Sequence, residues 1–228
     1  MVKYYHDMIQ GGDDWYKIRL GLVTASEINI LLTPSGKLAK NQKMRDHACE
    51  IASQRELNEV EDSFQSYHMV RGHIQEAIAR DIYSDNFDDV QECGFITDDS
   101  LGFKIGCSPD GLVGENGMIE IKSRIAKHQV STIIKGEVPE EYVNQIQAAL
   151  FISDRSWCDF VQYSNGMPLF VQRVRIDGER QELIIEAIRA FELEVERIRE
   201  DYRKKSSILV QCERVDMSED DEISESKE

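Results

Sequence analysis

The sequence predicts a mixed α+β domain, a central mixed sheet flanked by helices. Three observations carry that expectation: hydrophobic periods that alternate between helical and strand-like, two hairpin signals, and a long helical pattern near the C-terminus. In chain order, ASEINILL at 25–32 reads as a short helix, and Thr24-Ala25-Ser26-Glu27 before it matches a capping box with threonine as N-cap and glutamate at N3. Residues 42–57 read as a longer helix. Residues 67–83 place Val70, Ile74, Ala77, Ile78 and Ile82 at helical spacing, an apolar stripe expected to face the core. Strand-like runs follow at 90–97, 102–108 and 118–124, then a helix after Pro139 with Tyr142, Val143, Ile146, Ala149 and Leu150 on one side. Strands at 157–163 and 169–176 flank Asn165-Gly166, a strong hairpin signal. The last helix, 179–205, repeats Ile184, Ile188, Phe191, Val195, Ile198 and Tyr202 in steps of four and three, the pattern of a helix docked on a core.

A chain of 228 residues, 41% hydrophobic and 31% charged, is expected to form one domain, here 1–205, followed by an acidic tail at 206–228. The last sixteen residues hold eight acids and two bases, so six of the sixteen net negative charges belong to a segment with the composition of a disordered tail. The remaining charge of −10 requires any nucleic-acid surface to be a segregated basic patch. KLAKNQKMR (37–45) and KSRIAKH (122–128) are the candidates, although solvated surface charge explains either run alone. No apolar run approaches the roughly 18 residues of a membrane span, and the first residues lack a signal peptide's apolar stretch, so a cytoplasmic protein is expected. Cys49, Cys93, Cys107, Cys158 and Cys212 are scattered without metal-ligand spacing and read as reduced thiols. His6, His47, His68, His73 and His128 read as surface or satisfied, partly buried residues, and Trp15 and Trp157 as core aromatics, with packing near a nucleic acid the alternative for Trp15.

The stretch CSPDGLVGENGMIEIKSR, 107–124, concentrates chemistry in one predicted hairpin. Glu120 and Lys122 are two apart and share a strand face, with Ile119 and Ile121 on the other. With a two-residue Glu115-Asn116 loop Asp110 would lie opposite Ile121 and point away; with a three-residue loop or a bulge it lies opposite Glu120 on the same face. Opposed carboxylates about 5 Å apart repel unless a cation sits between them, and a hard divalent ion with oxygen ligands would relieve the repulsion. Lys122 beside such an ion could orient a water and neutralise an attacked phosphate. Asp-Gly is also common in turns and Glu-x-Lys on exposed strand faces, so this pattern alone does not decide between catalysis and surface.

Pro109-Asp110 followed by Glu120-x-Lys122 resembles the PD-(D/E)xK nuclease signature, and the element order is similar to that superfamily's restriction-endonuclease-like core. The likeness extends to WYKIRLGLVTASEI (15–28), RGHIQE (71–76), CSPDG (107–111), IEIKS (119–123) and YVNQIQ (142–147), which resemble the successive motifs of the lambda exonuclease, YqaJ-type viral recombinase family. The resemblance implies that Asp110, Glu120 and the main-chain carbonyl of Ile121 ligate Mg²⁺, with Mn²⁺ able to substitute, and that Lys122 positions the attacking water. It further implies that Glu76 supports a second ion or its water shell. From the residues alone Glu76 sits opposite the apolar stripe and four before Arg80, a solvent-facing ion pair. Gln145, on the flank of its helix's apolar side, is expected to line the site.

The capped helix start offers free N–H groups and a positive dipole end to an anion, and Arg19 upstream could close on a phosphate. The resemblance makes this region the pocket for the DNA's 5′-terminal phosphate, with Arg19, Ser26 and Ser108. It implies a 5′-to-3′ exonuclease acting on double-stranded DNA ends, phage-encoded or bacterial, assembled as a homotrimer ring and working beside a single-strand annealing protein. Two other readings stand against it: a PD-(D/E)xK endonuclease of another specificity, and a non-enzymatic acidic DNA mimic or partner-binding module.

Overall fold

The computed structural model describes residues 1–33, 37–59 and 67–213. Of the expected tail, 206–228, residues 214–228 lie outside the described residues. Along the chain come β1 (Lys3–Tyr5), α1 (Asp13–Arg19), β2 (Val23–Thr24), a 3-10 turn (Ala25–Glu27) running into α2 (Ile28–Leu31), α3 (Gln42–Leu57) and α4 (Tyr67–Asn86). β3 (Val90–Gln91), β4 (Phe95–Asp98), β5 (Ile105–Cys107), β6 (Gly111–Val113) and β7 (Gly117–Ser123) follow, then α5 (Ala126–Lys135), α6 (Glu140–Ser153), β8 (Trp157–Tyr163), β9 (Phe170–Arg175) and α7 (Gly178–Ser206).

The strands form a five-stranded sheet in the order β3-β6-β7-β8-β9 and a four-stranded one in the order β1-β4-β5-β2. Both are mixed: β7 runs parallel to β8 and β2 to β5, while the other pairs are antiparallel. The parallel β7–β8 pair needs a crossover, which α5 and α6 supply. Period-two alternation on β7 and β8 gives the larger sheet two apolar faces. Met118, Cys158 and Phe160 join the main core with Ile146 and Leu150 of α6 and Phe191 and Val195 of α7. Ile119, Ile121 and Val161 meet Ala79 and Tyr83 of α4 on the other side. Among the described residues no helix is long and apolar enough to cross a membrane.

Three expectations change. The stripe expected to bury α4 is turned to solvent in part, with Ile74 60% and Ile78 42% exposed, while Ile82 packs beside the buried Ala79 and Tyr83. The helix has two apolar sides, and the one that packs also carries Gln75, Glu76 and Arg80 toward the end of β7. Helices α1 and α5 and strands β1 and β2 have no counterpart in the sequence reading. Trp15 is a half-buried residue beside a polar pocket, and its indole N–H donates to Ser108 Oγ at 2.9 Å.

Candidate active site

The site forms where the chain leaves the smaller sheet for the larger, at Ser108-Pro109-Asp110 between β5 and β6. The β6–β7 register pairs Gly111 with Ile119 and Val113 with Gly117 around the three-residue loop Gly114–Asn116, where Gly114 takes a φ of +52°. Continuing the ladder one step puts Asp110 across from Glu120, the second of the two geometries open to the sequence. Gly111 lies in the strand, not in the turn: a Cβ there would meet Val90 Cγ1 at 2.1 Å, so the Asp-Gly pair reflects close strand packing.

Asp110 Oδ2 accepts the Ile121 amide hydrogen at 2.5 Å. A strand residue's N–H and C=O leave on the same edge, so the Ile121 carbonyl also faces the Asp110 side. Glu120, 3% exposed, accepts through Oε1 from Lys122 Nζ at 2.6 Å and from Gln145 Nε2 of α6 at 2.6 Å. Among the described residues no hydrogen bond reaches Glu120 Oε2 or Asp110 Oδ1. Burial, then the charges of Glu120 and Glu76, hold the Asp110 carboxyl well above the usual carboxylate range. Burial pushes the Lys122 ammonium toward neutrality, but Glu120 and Asp110 outweigh it and the group is held charged. From α4, Arg80 donates to the Asp110 carbonyl at 2.8 Å and to Glu76 Oε1 at 2.9 Å. The i,i+4 ion pair expected for Glu76 is present, and it stands at the edge of the acid cluster.

The donor set fits a hard cation. Two crowded carboxylates and a main-chain carbonyl offer oxygen only, and the oxygens without donors are those a cation would need. Among the described residues no three acid, histidine or cysteine side chains gather closely enough to hold a metal by themselves. The carbonyl and water therefore belong to any coordination shell built here.

A second pocket adjoins the first. Arg19, at the end of α1, lies over the Trp15 ring at 4.2 Å and reaches Ser108 Oγ at 3.5 Å and Thr24 Oγ1 at 3.4 Å. Thr24 Oγ1 is 3.1 Å from Ser26 Oγ, so Arg19, Ser26 and Ser108 are brought together around Thr24. Among the described residues the Arg19 guanidinium forms no ion pair. Burial lowers its pKa, against the opposing charge of Glu27, yet a guanidinium stays charged, so this pocket presents a partly desolvated cation whose hydrogen-bond partners are weak and neutral. The expected capping box is present: the Thr24 side chain faces the Glu27 backbone N–H, and the Thr24 N–H donates to Glu27 Oε2 at 2.9 Å.

Sequence reasoning left out Thr24 as a pocket residue, Trp15 as a support for Arg19, and Tyr142. The Tyr142 ring carries Lys122 Nζ at 5.4 Å and the Arg124 guanidinium at 5.6 Å. Its i−3 spacing from Gln145 on a helix facing the acids was the available signal.

The profile of the YqaJ-like viral recombinase domain matches residues 14–156. The alkaline exonuclease LHK-Exo from Laribacter hongkongensis is similar in structure: 31% identity, 87% of this chain and 100% of that one, TM-score 0.76. The structure of LHK-Exo in complex with dAMP gives the same identity and coverage, with a TM-score of 0.77. A phage-related exonuclease from Haemophilus somnus 129PT, 13% identical, shares the fold over 79% of this chain and 96% of its own, TM-score 0.57. Comparison with curated protein sequences returns no match.

Proposed function

Because the chain belongs to the YqaJ-like viral recombinase family, we propose that it is a Mg²⁺-dependent exonuclease that enters at a duplex DNA end. It removes nucleotides from the 5′ strand and leaves a 3′ overhang for strand annealing. The observation that carries this reading is the contiguity of the two pockets: Ser108, beside Arg19, is separated from Asp110 by Pro109 alone. An end phosphate held by Arg19, Ser26 and Ser108 places the adjacent phosphodiester toward the acid cluster. That arrangement gives polarity from an end, which an endonuclease does not need.

Asp110, Glu120 and the Ile121 carbonyl would hold Mg²⁺, or Mn²⁺ in its place, with Glu76 supporting a second ion. When bound, the metal supplies Lewis-acid polarisation of the phosphate and a lowered pKa for attacking water. Lys122, kept charged by its two acid neighbours, donates hydrogen bonds that orient water and stabilise the charge of the attacked phosphate. Gln145 fixes the Glu120 carboxylate through Oε1. The dAMP held by LHK-Exo is the kind of product that stepwise removal from an end releases.

The assembly we propose is a homotrimer ring around DNA, with bases lining the channel and acids outside, which accommodates the net charge of −16. A single-strand annealing protein is the proposed partner. Incubation of the protein with end-labelled linear duplex and with closed circles in Mg²⁺ tests the reading. It predicts digestion of the linear form alone; efficient cutting of circles contradicts it.

A further inference from the structure

Behind the Arg19 pocket, His47 of α3 departs from the satisfied histidine expected of the sequence. It is 5% exposed, its ring stacks on Phe191 at 5.4 Å, and Nδ1 meets Glu50 Oε2 at 3.0 Å. Nε2 is buried without a hydrogen-bond partner and faces Glu27 Oε2 at 3.8 Å. That same oxygen accepts both the Thr24 amide at 2.9 Å and the Thr24 hydroxyl at 2.8 Å. The single hydroxyl hydrogen of Thr24 is thereby committed to Glu27, and Oγ1 is left to accept from Arg19 Nη2 and to meet Ser26 Oγ.

We infer that His47 is a positioning residue of the 5′-phosphate pocket, acting through Glu27 and Thr24 on Arg19 and Ser26. The inference rests on the proposed pocket and extends it one layer into the fold. The Phe191 stack and Glu50 lock the imidazole between α3 and α7, so the ring is a fixed wall against which the Glu27 carboxylate is set. A neutral imidazole has one N–H to share between Glu50 and Glu27, and with that hydrogen on Nε2 the 3.8 Å contact would close by a small shift of the Glu27 carboxylate. A phenylalanine would fill the same space and stack as well without burying an unsatisfied nitrogen, so packing alone does not account for a histidine here.

The test compares KM and kcat on duplexes with 5′-phosphate and 5′-hydroxyl ends, using the full chain in Mg²⁺ and checking each variant's fold by circular dichroism melting. His47→Phe is expected to raise KM on 5′-phosphate ends about tenfold, with kcat held, so that the preference for phosphorylated ends collapses. Glu27→Gln is expected to do the same, and the double variant to lose no more than Glu27→Gln alone, because both act through one path. If His47→Phe melts like the wild type and keeps the preference, or if the two effects multiply, the inference is overturned. Should His47→Phe not fold, an unchanged preference in Glu27→Gln overturns it equally. A wild-type chain indifferent to the end group, or Arg19→Ala retaining the preference, overturns the pocket itself. A preference lost in Arg19→Ala but kept in His47→Phe overturns only the role of His47.

Discussion

Two buried acids on neighbouring strands meet opposite fates. Asp159 of β8 is 4% exposed and Glu120 of β7 is 3% exposed. Asp159 is saturated: Arg173 grips it at 2.8 and 2.9 Å, Tyr83 Oη donates at 2.6 Å, and the guanidinium lies over the Trp157 ring at 3.5 Å. Glu120 shares one oxygen between Lys122 and Gln145 and faces Asp110 across the hairpin, where burial and like charge raise the Asp110 carboxyl. The burial is nearly equal; the donor supply is not. An acid whose lone pairs are all met by the protein stabilises the sheet, whereas acids crowded together with oxygens to spare leave room for the cation proposed above.

The largest effect expected from this contrast is on cleavage. Lys122→Ala and Asp110→Asn should each lower nuclease activity by about 10³-fold or more, measured on end-labelled duplex. Asp110→Asn should also raise thermal stability in metal-free buffer at neutral pH by about 1 kcal/mol, because it removes a carboxyl whose ionisation the fold opposes and the unfolded chain does not. Lost stability in that variant would break the comparison from the site's side. Next in size, Arg19→Ala should cost about tenfold or more on 5′-phosphorylated ends and spare 5′-hydroxyl ends, read from paired initial rates. Asp159→Asn should retain activity per folded molecule yet destabilise by about 2–3 kcal/mol in urea melts, since it leaves Arg173 and Tyr83 mispaired.

The smallest effect is Tyr83→Phe, about 1 kcal/mol at neutral pH. Burial, then the hydrogen bond and charge of Asp159, push the Tyr83 phenol above its ordinary 10.0. A raised folded pKa means that the unfolded chain releases the proton first. The associated stability is therefore full below pH 10 and is lost as pH climbs toward the folded value. Stability of Tyr83→Phe should fall less steeply than wild type above pH 10; equal slopes would show that Asp159 does not hold this phenol.

The hairpin, the long helices and the pairing of Glu76 with Arg80 were legible because each is set by local spacing. Which side of β6 Asp110 takes was not, since it turns on one residue of loop length, settled by Gly114 at positive φ. The buried side of α4 is legible only in part, at Ile82: Ile74 and Ile78 look like core, while the packed side must also deliver Glu76 and Arg80 to the site. Helix α5 was hidden by Val130, Thr132, Ile133 and Ile134, β-branched residues with weak helix propensity; Gly136, its left-handed C-terminal stop, was the signal that could have revealed it. The convergence of Arg19, Thr24, Ser26 and Ser108 depends on the parallel pairing of β2 with β5, a contact some 80 residues apart that spacing cannot supply.

The most direct test of the central claim is a calorimetric titration of the DNA-free protein with Mn²⁺. Wild type should bind the ion and release protons as Asp110 ionises, and Asp110→Asn should show neither signal while melting as a folded protein. Equal binding by the two, or none by the wild type, would contradict the assignment of Asp110 and Glu120 to a shared cation.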